Sequence, residues 1–464
     1  MKENGEQMNI LIAGASGLVG KELVRSLSLT GKHKIRILTR SRADYDKQLS
    51  FPVEVFEWEP TKGYINPNAI DAVDIVINLA GAGIADKRWS EARKKLIIDS
   101  RVMATKVLLD EIKRTGHTPK KFINASAIGF YGSTGERDID ENSASGSDFL
   151  AETCIAWENA LLKEDIEGMS SYILRLGLVL SSKGGALAKM LPAFKLGIAG
   201  KIASGSQYMS WIHIDDLVKQ FEYIINNDCK DKIYNAVAPK AASNTQFTKT
   251  LGKVLKRPTM IPLPEVAAKV ILGELSVLVT QGQKVIPRNF LDLDFPFKHP
   301  NLEDALRDLL KSELKGEKIF HVYQWINRTP EEIFDFFSDE KNLELITPES
   351  LEFKVVRKST EAIEQDTFID YKIKIHGIPC KWKTHISDFQ KNITFVDEQM
   401  IGPYKNWKHR HNFIPLNGGT LIEDYIEYKV PLGAIGNLIT GSFIRKDITK
   451  IFSYRQKVIA RTFS

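Results

Sequence analysis

The sequence predicts an α/β doubly wound parallel sheet followed by an α+β domain in which a curved antiparallel sheet wraps a helix. Three observations carry this. Short apolar runs alternate with helical stretches from Met8 to about Leu180, as parallel strands joined by crossover helices require. A glycine-rich turn follows the first of those runs directly. After Gly316 the pattern changes to a capped helix start, a series of alternating strands and one long terminal helix. At 464 residues the chain also exceeds one ordinary hydrophobic core, so two units are expected, over 1–316 and 317–464.

In the first unit, strands are expected at Asn9–Ala13, Lys34–Leu38, Val53–Trp58, Ile75–Leu79 and Lys121–Ala125. Helices are expected at Lys21–Leu29, Ser90–Arg114 and Phe149–Glu164. Ser171–Leu180 is almost continuously apolar, which suits a strand covered on both faces. Residues 181–310 lose this rhythm and read as a substrate lobe, with a helix near Ser243–Leu255 capped by Ser243. A further helix, Leu302–Leu314, is stopped by Gly316.

In the second unit a strand at Lys318–Ile326 precedes Thr329-Pro330-Glu331-Glu332. Thr329 at the cap, Pro330 at the first helical position and Glu332 three residues after the cap form a capping box. Strands follow at Leu351–Arg357, Phe368–Ile375, Lys381–Asp388, Ile393–Gln399, His409–Ile414 and Thr420–Tyr428. Asn417-Gly418-Gly419 supplies hairpin chemistry before the last of them. A long helix over about 432–459 offers Ile435, Leu438, Ile439 and Ile451 as an apolar stripe.

The most specific motif is Gly14-Ala15-Ser16-Gly17-Leu18-Val19-Gly20, between a strand and a helix. Its glycines permit a tight turn, close approach of backbone to a pyrophosphate and close helix–sheet packing. The helix N-terminus then favours the phosphate charge. A Rossmann-type dinucleotide site follows. The second strand ends in Thr39-Arg40-Ser41-Arg42, without the carboxylate that would hold ribose hydroxyls. A guanidinium there suits a 2′-phosphate, so NADP(H) is preferred to NAD(H).

These residues resemble the extended short-chain dehydrogenase/reductases, in which a fourth strand ends like Asn78-Leu79-Ala80-Gly81. The resemblance is closer to an atypical epimerase-like branch, labelled as sugar-nucleotide epimerases or as a cell-division inhibitor. It rests on Arg88-Trp89, Ser126-Ala127-Ile128-Gly129-Phe130-Tyr131-Gly132, Arg175 to Leu180, Ser210 to Leu217, Tyr234 to Pro239 and Gly282 to Arg288, covering about residues 8–310. It implies that Leu79, Ala80, Gly81 and Ser126 lie along the cofactor.

Working members of that superfamily carry a Tyr with a Lys four residues later, the ammonium lowering the tyrosine pKa. Here the corresponding helix reads Phe149-Leu150-Ala151-Glu152-Thr153-Cys154-Ile155-Ala156-Trp157-Glu158. Tyr404/Lys408 and Tyr425/Lys429 repeat the spacing far from the nucleotide motif and are read as chance. The remaining catalytic candidates are Ser126 and Tyr131, after the fifth strand, and His213, able to donate a proton near neutrality. Two of them have a plainer alternative: Tyr131 as a hydrogen-bonded wall, His213 as a turn cap or a support for Asp216. Arg175 binds an anionic substrate or forms a structural ion pair.

The second unit resembles the helix-grip ligand binders of the START and polyketide-cyclase superfamily, implying a cavity for an apolar small molecule or lipid. His409 and His411 share a strand face, yet His376, Cys380 and His385 have no evident register with them. No metal site is assigned, and the face is read as solvated or hydrogen-bonded. Trp325, Phe334, Phe336, Phe337 and Trp382 are read as core. The expected function is an NADP(H)-dependent oxidoreductase or epimerase of atypical mechanism acting on a small molecule, fused to an apolar-ligand domain. The alternative is a non-catalytic, NADP(H)-responsive module.

Composition is ordinary for a globular protein, with 43% apolar and 26% charged residues. The net charge of +6 is diffuse, so no nucleic-acid partner is indicated. Val266–Val279 is interrupted by Lys269, Gly273 and Glu274 and is too short to cross a bilayer. Three separated cysteines, Cys154, Cys229 and Cys380, suggest neither disulfides nor zinc. With no signal peptide in the opening residues, the cytoplasm is the expected location.

Overall fold

The computed structural model describes residues 6–42, 51–430 and 433–463, with side chains from 443 onward in the last segment. The chain divides into two compact units, with the main division at Leu310–Lys311 and the described residues 51–52 grouping with the second unit. Among the described residues no helix is long and apolar enough to cross a membrane.

In the first unit β1 (Asn9–Ala13) leads through the glycine turn into α1 (Leu18–Leu29). Then come β2 (Lys34–Thr39), β3 (Val53–Glu59), β4 (Tyr64–Ile65), β5 (Ile75–Asn78), α2 (Glu91–Thr115) and β6 (Lys121–Ala127). After α3 (Phe149–Leu162) and β7 (Ser170–Leu176) the chain enters β8 (Leu178–Leu180). Further on lie β9 (Trp211–His213), α4 (Ile214–Asn226), β10 (Ile233–Ala236) and α5 (Asn244–Leu255). The main sheet has the order β10-β7-β6-β5-β1-β2-β3-β4, parallel except at the β3–β4 edge. β1 continues outward to β2 on one side, whereas β5 and β6 extend the other. The strand order therefore reverses beside β1, and ligands of such sheets bind at the carboxyl ends there.

Two expectations change. The single strand Ser171–Leu180 is two strands, because at Gly177 a side chain would lie 2.5 Å from the Ser210 carbonyl oxygen. The chain crosses close to its neighbour there, leaves the main sheet, and β8 pairs with β9 instead. The helix expected over Leu302–Leu314 is interrupted at Leu310, whose φ of −110° and ψ of 10° end Leu302–Leu309 before Lys311–Leu314 begins. The division between units falls at that break, slightly before Gly316.

The second unit comprises β11 (Lys318–Ile326), α6 (Pro330–Phe337), β12 (Lys354–Lys358), β13 (Phe368–Ile375) and β14 (Ile378–Gln390). β15 (Thr394–Ile401), β16 (Asn406–Leu416), β17 (Gly419–Lys429) and α7 (Gly433–Thr462) complete it. Its seven strands form one antiparallel sheet in the order β11-β17-β16-β15-β14-β13-β12. Register shifts along β14 against β15 bend the sheet. Thr329 and Glu332 make the reciprocal capping box that starts α6. Ile448, Phe452 and Ile459 of α7 are buried; the stripe positions Ile435, Leu438 and Ile439 lie outside the described side chains.

Candidate functional site

The glycine loop is shaped by backbone proximity. Gly14 has φ +83°, and a Cβ on it would lie 2.7 Å from the Leu79 carbonyl carbon. A Cβ on Gly20 would lie 2.3 Å from the Gly14 carbonyl oxygen. Turn, β5 end and helix start are thus drawn together, leaving Ser16 and Gly17 exposed. Gly17 caps α1 with no side-chain hydrogen bond, so the cap leaves the first amides of α1 without a side-chain acceptor, an arrangement suited to an anion. Leu18, Val19, Leu79 and Ala80 are half-buried, and Gly81 is exposed. Asn78, fully buried, donates to Thr105 Oγ1 (3.0 Å) and Asn124 Oδ1 (2.8 Å) and accepts from Ala80 N. That network fixes the ends of β5 and β6. At the end of β2, Arg40 is exposed, and Thr39 Oγ1 accepts from Ser41 N. A carboxylate does approach this loop, from β3: Glu57 Oε1 accepts from Arg42 N at 3.4 Å.

On α3, Leu150 and Cys154 face the Gly129 turn. The Cys154 thiol donates to Ala127 O at 3.5 Å, and burial pushes its pKa up to about 11. Neither residue supplies a proton near neutrality. Deeper in, Ser126 Oγ donates to Glu158 Oε1 at 2.6 Å. Arg175 forms a bidentate pair with Glu158, Nε to Oε1 at 2.9 Å and Nη2 to Oε2 at 2.8 Å. The two side chains are 3% and 4% exposed. Glu158 outweighs the burial that opposes the charge, and the Arg175 pKa is raised. The guanidinium carbon also lies 3.5 Å from the Phe130 ring centre. Arg175 Nη1 donates to the Tyr131 hydroxyl (2.9 Å), which donates to Asn235 Oδ1 (2.8 Å). Burial pushes the Tyr131 phenol up to about 12.

His213 is 1% exposed and caps α4, its Nδ1 accepting from Asp215 N at 3.0 Å. Its ring stacks on His299 with centres 3.9 Å apart, and its Nε2 lies 3.4 Å from Asp308 Oδ2. Burial pushes it down to about 4. Asp216 accepts from the Lys298 and His299 amides, closing the same corner. Ser126 and Tyr131 are therefore joined in one buried network through Glu158 and Arg175, and His213 lies in a separate one. Of the two placements open to Arg175, the structure has the ion pair. Glu158, its partner, was missed by sequence reasoning; a glutamate on the inner face of a half-apolar helix was the available signal.

The second unit encloses a cavity of about 720 Å³. Phe337 and Trp382, expected as core, line it, with Tyr404, Trp407 and Ile448 among the other apolar walls. Phe334 is core, Phe336 packs beside it, and half-buried Trp325 donates to Leu416 O. His409 and His411 share a face, as the alternation predicts, and both are buried against the cavity. Asp397 on β15 stands opposite His409, and Asp424 on β17 opposite His411. Asp424 is held well below the usual carboxylate range: Arg455 and the two histidines overcome its burial. His376 and His385 pair elsewhere, with Asp447 and Asp366. Tyr425 and Lys429 lie along β17, where four residues span about 13 Å.

A model of the NAD dependent epimerase/dehydratase family matches residues 10–236, and a domain of unknown function, DUF1731, matches residues 263–309. The chloroplastic epimerase family protein SDR39U1 homolog of Arabidopsis thaliana is 36% identical over 316 residues, 66% of this chain and 87% of that protein. The epimerase family protein Mb2239 of Mycobacterium bovis is 36% identical over 300 residues, 64% of this chain and 96% of its own. The structure of human epimerase family protein SDR39U1 with NADPH matches with a TM-score of 0.57 at 28% identity, covering 66% of this chain and 99% of that one. A UDP-glucuronic acid 4-epimerase from Bacillus cereus shares the fold, with a TM-score of 0.54 at 17% identity, covering 66% of this chain and 100% of that one.

Proposed function

Since the chain belongs to the NAD-dependent epimerase/dehydratase family through its first unit, we propose that it holds NADP(H) between the Gly14–Gly20 loop and Arg40. The observation that carries this is the uncapped start of α1 beneath Ser16 and Gly17, a ready site for a pyrophosphate. Arg40, exposed at the end of β2, would meet the 2′-phosphate by charge-assisted hydrogen bonds. The NADPH held by the human relative supports the same choice. When bound, the cofactor supplies a hydride to donate or accept; this chain's residues supply position and exclusion of water. The second unit, in this proposal, is a helix-grip domain of START or polyketide-cyclase type that takes an apolar small molecule into its cavity. Cytoplasmic residence accords with three free cysteines.

A specific observation favours the non-catalytic form of this reading. The hydroxyls of Ser126 and Tyr131 are already hydrogen-bonded inside the protein, and His213 is spent on a helix cap. The test is NADPH fluorescence titration beside a turnover assay across aldehydes, ketones and nucleotide sugars. Tight NADPH binding with no turnover supports a cofactor-responsive module. Turnover abolished by Tyr131→Phe in a folded protein supports an atypical oxidoreductase or epimerase. Failure to bind either nucleotide refutes both.

A further inference from the structure

We propose that Asp397, His409 and His411 form a mononuclear site for a divalent transition metal on the wall of the second unit's cavity. The argument starts from proton counting. Asp424 Oδ1 lies 2.9 Å from His409 Nε2 and 2.9 Å from His411 Nδ1. On the opposite side, Asp397 Oδ2 lies 3.0 Å from His411 Nε2 and 3.4 Å from His409 Nδ1. Four imidazole nitrogens thus face two carboxylates. Two neutral imidazoles carry one N–H each, so only two of these four contacts can be hydrogen bonds, and the other two set a nitrogen lone pair against a carboxylate oxygen.

His409 Nε2 donates to Asp424 at 2.9 Å, while His411 accepts from Arg455 at Nδ1 and donates from Nε2 to Asp397 at 3.0 Å; a metal at Nε2 would shift that proton to Nδ1, where Asp424 Oδ1 lies 2.9 Å away. Arg455 Nη2 is 3.3 Å from His411 Nδ1 and 3.6 Å from Asp424 Oδ1, and its charge balances that carboxylate. In that tautomer His409 Nδ1, His411 Nε2 and Asp397 Oδ2 converge as three lone-pair donors, all within 4.8 Å of one another. Such an arrangement is repulsive until a cation joins it. The spacing fits a metal: bonds of ~2.0–2.2 Å give neighbouring ligands ~2.8–3.6 Å apart in octahedral or tetrahedral geometry. Asp424, accepting from the outer nitrogen of each histidine, is the orienting carboxylate that metal-bound imidazoles usually have. Two imidazoles and one carboxylate suit a Zn²⁺- or Fe²⁺-class ion. Because all three ligands line the cavity, the remaining coordination positions open into it, where a ligand's polar end would bind.

The other group of this kind, His213, Asp215, His299 and Asp308, fails the same test. His213 Nδ1 accepts from the Asp215 backbone amide inside its own helix cap, a donor that cannot turn away as a side chain can, so Nε2 keeps the proton and cannot ligate.

The experiment uses the full chain, untagged, stripped with chelator, reloaded with Zn²⁺ or Co²⁺ and passed through gel filtration. One equivalent of metal is expected by mass spectrometry. Co²⁺ should give visible bands stronger than those of the hydrated ion. The isosteric Asp397→Asn and the double variant His409→Gln/His411→Gln should lose this retention. Asp424→Asn should weaken affinity by about 10–100-fold, as loss of an orienting partner does. Circular dichroism checks that each variant is folded, and the unsubstituted chain decides the matter alone if they are not. No retained metal in that chain, or equal retention in the folded double variant, overturns the proposal. So does NMR showing both imidazoles doubly protonated at neutral pH with no metal bound.

Discussion

Removing either partner of the Glu158–Arg175 pair is expected to destabilise the first unit strongly. The two side chains are 3% and 4% exposed and joined by hydrogen bonds of 2.9 and 2.8 Å. Glu158→Gln leaves a buried guanidinium held by Tyr131 and the Phe130 ring, and also weakens the acceptor of Ser126. Arg175→Met leaves a buried carboxylate with one serine donor. Unpairing a buried charge costs about 3–5 kcal/mol, which for a unit of this size lowers its melting midpoint by roughly 10 °C. The double variant Glu158→Leu/Arg175→Met removes both charges, so its loss should be smaller than that of either single variant. Hydrogen exchange read on peptides from β6, α3 and β7 in the intact chain localises the effect. If Arg175→Met left exchange unchanged and instead abolished binding of an anionic substrate, the structural assignment of Arg175 would be wrong.

Four further outcomes are expected. Gly14→Ala combines a left-handed φ with a 2.7 Å approach to Leu79, so strain and overpacking of about 2–5 kcal/mol should abolish NADPH binding by titration. Gly63→Ala, with φ +65° but open space around it, is the matched control and should cost about 1 kcal/mol without touching binding. Arg40→Ala should weaken NADPH by about 10–100-fold and leave NADH unchanged; an unaltered ratio of the two affinities would remove the 2′-phosphate assignment. His213, pushed down to about 4 in the folded protein, binds fewer protons than the unfolded chain between pH 6.5 and 4. Its contribution is present above pH 6.5 and falls away through that window, by about 3 kcal/mol in all, and a His213→Gln variant should flatten that part of a stability–pH profile. Tyr131→Phe loses a hydroxyl bonded to Asn235 and Arg175 and should cost about 1–3 kcal/mol in denaturation.

The architecture was legible because it is written in periodicity. Strands from Asn9 to Lys121 and from Lys318 to Thr420 begin within a few residues of where alternation and apolar runs place them. The glycine loop was legible too, since φ and close approach at Gly14 restrict the residue type. What escaped was non-local. The break at Gly177 comes from the Ser210 backbone crossing nearby, and no local pattern records that. His409 and His411 were readable as one strand face, but Asp397 and Asp424 join them only through the register of β15 and β17. Glu158 sits in an ordinary helical pattern, and only the sheet beneath it identifies its partner on β7.

The proposed non-catalytic reading has an electrostatic basis at Tyr131. In the superfamily mechanism a nearby ammonium makes the phenolate accessible, so that the tyrosine can exchange a proton with substrate near neutrality. Tyr131 also has a cation beside it, Arg175, 2.9 Å away. Yet that cation is already neutralised by Glu158, and burial dominates, pushing the phenol up to about 12. Relative to an ordinary tyrosine near 10, this disfavours the phenolate by about 2.7 kcal/mol, roughly a hundredfold in population. The proton it does hold points at Asn235 rather than into open space. In that reading the ion pair that stabilises this corner withdraws the hydroxyl from chemistry, while the glycine loop beside β1 keeps its close turn and a helix start with no side-chain cap.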